Sequence, residues 1–355
     1  MSLSGIEALN EYRGVFAPEI PHAPAGRFAS VVLLRETKSY AIFTTEGGEQ
    51  QDTERTQAGL RHSEPIDRLV MFKRKQVAPE RRTGKALMRQ YGVFPHAVVR
   101  KDREVVEVVY GAEAIAAAQA RYKAKSEKVE VVVVEDCYLT AQLCTHCPDC
   151  LIYGYAAVEG EGARKARVMT DSCFSVRPYP LIQKGIKFNV IDEREQTSGT
   201  ITEFDYTMPE VFLPAVVTTV DLTLDEFVYV LGNILRTTRY GKEASRQGFV
   251  RNHVMAISFS DVELFANLEL TQAFYDAFVD GGMDLAAGGL SRQDFERHLP
   301  EVLKRLTAEI NGRLTWVTGG KLQAILDEVR ALNQDEACLS RFLRDLNTQA
   351  AKFGV

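Results

Sequence analysis

The placement of the cysteines is the strongest constraint that this sequence sets on its own folding. Four of the six cysteines fall within fourteen residues: Cys144, Cys147 and Cys150 are spaced C-x2-C-x2-C, and Cys137 lies seven residues before them. Closely spaced thiols in tight turns are typical ligands of a structural zinc ion, which takes four soft donors in a tetrahedron. The spacing therefore predicts a zinc-stabilised loop. A site closed by four thiolates has no open coordination position, so we expect a structural role and not a catalytic one.

The sequence leaves the fourth ligand open. Cys137 is favoured because it lies nearest, and Cys173 and His146 are the alternatives. The same cysteines also fit an iron–sulfur cluster, although no neighbouring residue indicates electron transfer. Six cysteines in 355 residues are too few for a disulfide scaffold, and in a reducing compartment clustered thiols indicate metal binding first.

The overall composition excludes a globally basic nucleic-acid-binding protein. Apolar residues make up 45% of the chain and charged residues 26%, which is ordinary for a globular protein, and the net charge is -5. Any binding to nucleic acid therefore requires basic residues that are segregated onto one face. No apolar run approaches the roughly 18 residues of a membrane span, and the first residues lack the apolar core of a signal peptide. We expect a cytoplasmic protein with no membrane contact.

Residues 236–253, RTTRYGKEASRQGFVRNH, combine cations with aromatic and glycine residues between two apolar segments. Guanidinium groups bind phosphates in a fork, and aromatic rings stack on bases. The pattern predicts a loop that binds a phosphate-rich polymer, although a solvated loop with scattered charges fits it equally well. The candidate contacts are Arg236, Arg239, Tyr240, Lys242, Arg246, Arg251 and His253.

A second basic segment, residues 69–103, contains ten Lys and Arg residues against two acidic ones. Pro79 and Gly92 mark the start and the end of a predicted helix. Within it, Arg81, Lys85 and Arg89 fall at i, i+4 and i+8, which predicts one cationic stripe. The stripe fits an RNA-binding face, with a solvated helix face as the alternative. Two further candidates in this segment are Lys73 and Arg82.

Residues 194–219 have the pattern of a long hairpin, with two β-branched arms around residues 205–214. The tip contains Tyr206, Met208 and Phe212, which we expect to be exposed. An exposed apolar tip often marks a contact surface. A hairpin buried in the core is the alternative.

The rest of the chain predicts strands interleaved with helices, followed by a helical C-terminal region. Apolar runs at residues 31–34, 104–109 and 128–134 predict strands, and the alanine-rich residues 111–125 predict a helix. From residue 263 onward the periodicity is helical, and Ser291 predicts an N-cap. We predict an α+β body with insertions.

Three motifs together resemble a known family. They are CPDCLIYGYA at residues 147–156, TDSCFS at residues 170–175 and RTTRYGKEASRQGFVRNHV at residues 236–254. Through them, and over roughly residues 27–259, the sequence resembles the backbone subunit of type I-D CRISPR Cascade complexes, a member of the repeat-associated RAMP superfamily.

The resemblance implies an RRM-like (ferredoxin-like) core with a zinc-binding insertion, a thumb β-hairpin and a C-terminal helical region. In this sequence the core with its insertions would span residues 1–262, and the helical region residues 263–355. The basic helix and the cysteine-rich zinc module would fall at about residues 69–175, and the thumb hairpin at about residues 193–219.

The resemblance also implies a non-catalytic subunit that stacks in several copies along one CRISPR RNA and presents it for pairing with target DNA or RNA. The implied partners are the CRISPR RNA, further copies of the chain, and the large and capping subunits of Cascade. Residues 236–253, with Arg81, Arg82, Lys85 and Arg89, would hold the guide. Met208 and Phe212 would belong to a thumb that interrupts the pairing. Sequence would then be read by base pairing and not by the protein.

Other functions have weaker support in the sequence. A metal-dependent nuclease would need a carboxylate beside the cysteines, where only Asp136 and Asp149 are available. Superfamily members that cut RNA use an aspartate after the first strand, and Asp52 lies in the corresponding loop without aligning to it. A thiol protease pair of His253 and Cys173 lacks a recognised nucleophile context. A DNA-binding regulator would need a helix-turn-helix or a two-cysteine, two-histidine finger, and neither pattern occurs.

Overall fold

The computed structural model describes residues 4–45, 50–102, 104–123, 129–138, 143–156, 162–191 and 197–353. Its strands are β1 (Phe28–Thr37), β2 (Thr53–Gln57), β3 (Pro65–Met71), β4 (His96–Lys101), β5 (Glu104–Tyr110), β6 (Val129–Val134), β7 (Tyr155–Ala156), β8 (Ala163–Arg164), β9 (Val168–Thr170), β10 (Cys173–Phe174), β11 (Gln183–Ile191), β12 (Thr197–Thr207), β13 (Phe212–Val220), β14 (Val250–Ser260) and β15 (Leu314–Val317). Its α-helices are α1 (Lys73–Gln90), α2 (Ala112–Lys123), α3 (Pro148–Tyr153), α4 (Leu224–Arg236), α5 (Asn267–Asp280), α6 (Arg292–Leu306), α7 (Gly319–Gln334) and α8 (Glu336–Phe353). Two short 3-10 helices cover Glu7–Val15 and Tyr179–Leu181.

A five-stranded antiparallel sheet with the order β15-β14-β1-β13-β9 forms the centre of the protein. The middle strand, β1, pairs with β13 on one side and with β14 on the other. Its continuous apolar run is explained by burial on both faces. Val31 and Leu33 face a core shared with α4, while Val32 and Leu34 face a second core formed with α5 and α6. The predicted buried strand is thus confirmed.

The C-terminal helices contribute to the cores on both sides of this sheet. Helices α5 and α6 pack on one face through aromatic residues such as Phe274 and Phe295, whose ring centroids are 4.9 Å apart. Helices α7 and α8 belong to the opposite core, where Ile325 and Leu343 lie with the residues of α4. Neither face of the sheet is therefore left open between the described elements.

Most of the predicted elements are present, and the mixed α and β class is confirmed. Strands β5 and β6 form a small sheet with β4, and the alanine-rich helix α2 packs against it. Ser291 caps α6 by accepting a hydrogen bond from the amide of Asp294. Strand β15 was not predicted, because its four residues lie within an otherwise helical pattern. None of the helices described is both long and apolar enough to cross a membrane.

The prediction that α1 begins near Pro79 is wrong. The helix begins six residues earlier, at Lys73, and Pro79 lies inside it. Buried contacts on both sides of the proline hold the helix in place. Gln76 donates hydrogen bonds to the carbonyls of Met71 and Asp171, and Glu80 pairs with Arg35. Tertiary packing here overrides the usual preference for proline in the first turn.

The predicted hairpin over residues 193–219 is also wrong. Strand β12 pairs with β11, whereas β13 belongs to the central sheet. Phe212 is 4% exposed and packs on Phe295, and Tyr206 is 2% exposed. Met208 is half-buried at the base of the β11–β12 pair, where its amide donates to the carbonyl of Ile182. An exposed apolar tip at these residues is thus contradicted; residues 192–196 lie outside the described part of the chain.

Candidate metal centre and candidate nucleic-acid interface

The four clustered cysteines converge although they come from different local structures. Cys137 follows β6, Cys144 and Cys147 lie in the next loop, and Cys150 lies in the first turn of α3. Their sulfur atoms all lie within 4.8 Å of one another. The Sγ of Cys150 is 3.5 Å from that of Cys137 and 3.9 Å from that of Cys144. Cys144 is half-buried and the other three are buried.

These distances fit a single metal ion. Four sulfurs at a zinc–sulfur distance of about 2.3 Å in a tetrahedron are roughly 3.8 Å apart, close to the separations found here. Hydrogen bonds from Cys144 and the other thiols lower the pKa of Cys137, so one sulfur already favours the thiolate form that binds metal. The donor set is closed and soft, as in structural sites.

The geometry favours Cys137 over its two rivals as the fourth donor. The thiol of Cys173 donates to the side-chain oxygen of Gln76, and burial raises its pKa to about 12. The Nε2 atom of His146 lies 3.4 Å from Nε2 of His96, and burial lowers the pKa of His146. Neither side chain belongs to the group of four sulfurs.

A layer of ion pairs joins the cysteine cluster to α1. Arg81 donates two hydrogen bonds to the buried carboxylate of Asp149, and the Nζ of Lys85 lies 3.3 Å from the same carboxylate. Lys85 also donates to the carbonyl of Cys137 and lies 3.6 Å from its sulfur. Arg89 pairs with Asp136 at 2.8 Å.

Arg81, Lys85 and Arg89 thus lie on one face of α1, as predicted, but this face packs on the cysteine module and only Arg89 is exposed. Burial alone would lower the pKa of Lys85, but Asp149 and the nearby sulfurs raise it, so the side chain keeps its charge. Arg81 and Lys85 thus neutralise the cysteine module and do not face solvent. The two acids of these ion pairs, Asp136 and Asp149, directly precede Cys137 and Cys150 in the sequence. This adjacency was the available signal, but it was considered only as evidence for a nuclease. Both carboxylates are occupied by cations, so the geometry gives that nuclease no support.

The loop after α4 is a closed structure that rests on the segment following β1. The amide of Lys242 donates to the carbonyl of Ile42, and the amide of Gly248 donates to that of Tyr40. Gly241 and Gly248 have positive φ angles of 91° and 77°. A Cβ atom at either position would lie within 2.4 Å of a backbone oxygen, so the close approach requires glycine.

Tyr240 lies beneath this loop and not on its surface. It is 1% exposed, donates to Glu80 and accepts from Arg35 and Asn252. Arg35 in turn pairs with Glu80 at 2.9 Å and donates to Asn252 at 2.7 Å. The prediction that Tyr240 stacks on a base is wrong, because the ring helps to hold α1, β1 and β14 together.

Two further predicted contacts are engaged within the protein. Arg236 is half-buried, and its guanidinium binds the side-chain and main-chain oxygens of Asn333 at the end of α7. His253 is half-buried, and its Nε2 lies 2.8 Å from the carboxylate of Glu36. Burial lowers the pKa of His253, and Glu36 opposes this shift.

The two basic segments meet at the start of α1. Burial lowers the pKa of Lys75, and the charge of Arg74 beside it lowers it further. Lys242 and Arg82 act in the same direction, and Asp52 opposes them. The geometry agrees, because Arg74 donates to the carbonyl of Thr45 and the amide of Lys242 donates to that of Ile42, so cations of both segments lie on the segment that follows β1. The predicted contacts that are exposed are Lys73 and Arg82 on α1, Arg239 and Arg246 on the loop after α4, and Arg251 near the start of β14.

The aromatic residue of this surface was not predicted from the sequence. Phe72, which precedes α1, is 37% exposed and is followed directly by Lys73, Arg74 and Lys75. No side chain caps the first turn of the helix, and within it the amide of Lys75 donates to the carbonyl of Phe72. An aromatic residue before a run of three cations was the available signal.

Comparison with known proteins places these features in a family. The family model described as "Csc2 Crispr" matches residues 15–343 of the chain. The chain belongs to the Csc2 CRISPR family. The matched range of this Csc2 family member includes the cysteine cluster, α1 and the loop after α4.

The crystal structure of Thermofilum pendens Csc2 is similar to this Csc2 family member, with a TM-score of 0.60 at 18% identity. The match covers 98% of this chain and 97% of that one, so the two share a fold over almost their whole length. A chain of a "CRISPR RNA-guided surveillance complex, pre-nicking" aligns at 11% identity with a TM-score of 0.46, over 86% of this chain and 99% of that one. No curated protein sequence matches the chain significantly.

Proposed function

We propose that this protein is a non-catalytic backbone subunit that binds CRISPR RNA in a type I-D Cascade complex. Family membership supports this proposal, and one observation of the structure carries it. Cations of two segments far apart in the sequence meet on the segment after β1, where Arg74 donates to the carbonyl of Thr45 and the amide of Lys242 to that of Ile42, in a chain whose net charge is -5. Such segregation of basic residues is typical of a surface that binds a phosphate backbone.

The order of the central strands supports the RRM-like part of the proposal. Strands β1, β9, β13 and β14, taken in chain order, lie in the sheet in the order fourth, first, third, second, with α1 after the first and α4 after the third. This is the β-α-β-β-α-β arrangement of ferredoxin-like folds. Because both faces of the sheet are covered, we assign RNA binding to the loops and the start of α1.

Contacts of this kind grip a guide without reading its sequence. Arg82, Arg246 and Arg251 would bind phosphates, and Phe72 or Phe249 would stack on a base. Arg239 already lies over the ring of Phe249, at 5.4 Å from its centroid. The guide bases would then remain free to pair with target DNA or RNA. We assign the thumb role to the β11–β12 pair, and the neighbours along the guide to further copies and to the large and capping subunits.

We further propose that the four cysteines hold zinc, which when bound would link the loop after β6 to α3. Cys137, Cys144, Cys147 and Cys150 would be the ligands. Arg81 and Lys85 would balance the negative charge of a four-thiolate site, as groups next to metal ligands commonly do.

Fluorescence anisotropy with two labelled RNAs of unrelated sequence tests the RNA proposal. We expect similar affinity for both, and a log–log salt slope of about -0.7 for each phosphate contacted, as for single strands. Arg82→Ala and Arg251→Ala should each weaken both RNAs by roughly 1 kcal/mol or less. Arg297→Ala, which removes an exposed cation from α6, should change nothing. Affinity that ignores salt, or a loss confined to one RNA, would contradict the proposal.

The non-catalytic part needs a separate test. Labelled RNA incubated with the protein and divalent metals should stay intact, with or without a chelator. Cleavage that disappears in an Asp149→Asn variant would instead support the nuclease alternative.

A further inference from the structure

A groove at the outer edge of the central sheet has the features of a site for a peptide strand. The groove lies between α6 and α7 and has a volume of about 870 Å³. Its floor is formed by residues 252–255 of β14 and by Trp316 of β15. This volume lies within the range of ligand sites, roughly 300–1,000 Å³.

The floor of the groove is an unpaired strand edge. Strand β15 pairs only with Ile257–Ser260 of β14. Among the described residues, no strand pairs with the outer edge of β14 from Arg251 to Ala256. Nor do these residues make a backbone hydrogen bond outside the β1 ladder. An open edge of this kind is a template for one more strand, and about six residues would extend it by roughly 20 Å.

The walls of the groove show which side chains such a strand would carry. Leu299 and Leu303 of α6 face Leu322 and Leu326 of α7 across it, so alternate apolar side chains of an added strand would be buried. The charged residues of the rim are three cations, Arg292, Lys304 and Arg330, and one carboxylate, Glu296. Arg292 pairs with Glu296, and Arg330 pairs with Asp327 of its own helix. Lys304 is exposed and has no ion-pair partner among the described residues, so its charge complements an acidic side chain.

We propose that this groove binds an extended segment of a partner protein, with apolar and acidic residues in alternation, as an added strand on β14. The backbone of the segment would pair with the edge of β14 next to β15, its apolar side chains would lie between α6 and α7, and its carboxylates would meet Lys304 and Arg330. Arg251, the first residue of this edge, is also a proposed phosphate contact, whereas the groove itself is lined by β14 from Asn252 onward and contains none of the other proposed RNA contacts.

The only tryptophan of the chain, Trp316, lies in the groove and reports on its occupancy. The probe is the heptapeptide Glu-Val-Glu-Val-Glu-Val-Glu, added to the full chain without RNA while tryptophan emission is recorded. We expect a saturable change in emission. A Lys-Val heptapeptide of the same pattern should give none, and N-methylation of alternate amides of the Glu-Val peptide should abolish binding, because it removes strand-pairing donors.

Charge reversal on the rim distinguishes the proposed binding of an acidic strand from nonspecific hydrophobic binding. Lys304→Glu and Arg330→Glu should each weaken the Glu-Val peptide by about three- to fivefold. Arg297→Glu, on the same helix but outside the groove, should not change its binding. The proposal is overturned if the peptide leaves the emission unchanged, if the N-methylated or Lys-Val peptide binds equally well, or if single-stranded RNA produces the change. It is also overturned if the emission depends on protein concentration alone, because a second copy would then fill the groove.

Discussion

Arg35 lies at the junction of α1, β1 and the loop after α4, and it is fully buried. Its charge is balanced by Glu80 at 2.9 Å, and Tyr240 and Asn252 complete the hydrogen bonds around the pair. A buried ion pair contributes little net stability compared with apolar packing, but removal of one partner leaves an uncompensated charge. Removing either Arg35 or Glu80 alone should therefore destabilise the protein, because the remaining charge would be buried without a partner.

Glu80→Gln tests this dependence. The substitution keeps the shape of the side chain and removes its charge, so we expect the free energy of unfolding to fall by about 3–5 kcal/mol. Urea denaturation at neutral pH gives the value. Glu296→Gln is the control, because its pair with Arg292 is about half exposed and should change stability by less than about 0.5 kcal/mol. Equal effects of the two variants would contradict the structural role of Glu80.

Gly248 gives a second prediction for a single residue. An alanine there would combine a φ of 77° with a Cβ atom 2.1 Å from the carbonyl oxygen of Tyr240. We expect Gly248→Ala to lower the free energy of unfolding by about 2 kcal/mol or more. Gly289→Ala is the matched control, since its Cβ would meet nothing within 4 Å and its φ is not positive. A Gly248 variant as stable as this control would mean that the loop rearranges freely.

The residue scale also marks a limit of prediction from sequence. The clustering of the four cysteines could be predicted, because four thiols within one short segment have few uses other than metal binding. The roles of Arg81, Lys85 and Tyr240 could not, because their partners Asp149 and Glu80 become neighbours only after folding. A cation in a basic segment looks the same in the sequence whether it faces RNA or a buried carboxylate.

The elements around the cysteines form a unit that depends on its own contacts. Helix α3 has six residues, too few to be stable alone, and it is fixed by Cys147, Cys150 and the pairing of Asp149 with α1. At this scale apolar runs predicted β1, β5 and β6 correctly. The apolar run at β13 was wrongly predicted to be an arm of a hairpin. The same pattern fits a hairpin arm and a strand of a larger sheet, and only the pairing of β13 with β1 distinguishes the two.

Removal of the metal should loosen this unit. We expect one metal ion per chain by elemental analysis, and a lower melting temperature after treatment with a strong chelator. Cys150→Ser should lose the metal and become insensitive to the chelator. Cys338→Ser is the control, because Cys338 lies on α8 outside the cluster and should retain both properties. Metal bound equally by both variants would contradict the proposed ligand set.

At the scale of the whole molecule, one sheet organises two cores with helices on both sides. Successive residues of β1 face the two cores alternately, so a substitution in either core alters the packing against the same strand. The covered faces leave loops, the start of α1 and the edge of β14 as the places where partners can bind. Binding on loops held by a rigid sheet is a common arrangement.

An experiment on the C-terminal helices tests whether they depend on the rest of the molecule for their packing. The aromatic face of α5 and α6, with Phe274 and Phe295, packs on one side of the sheet, whereas α7 and α8, with Ile325 and Leu343, lie in the opposite core and pack on α4, β5 and the 3-10 helix Glu7–Val15. Because each helix pair packs against elements of residues 1–262 and the two pairs belong to different cores, we expect the isolated segment of residues 263–355 to lack fixed tertiary structure. Near-ultraviolet circular dichroism of Trp316 should be absent from the segment and present in the full chain. Co-expression with residues 1–262 should restore the signal, whereas a cooperative unfolding transition of the segment alone would show that it is a separate domain.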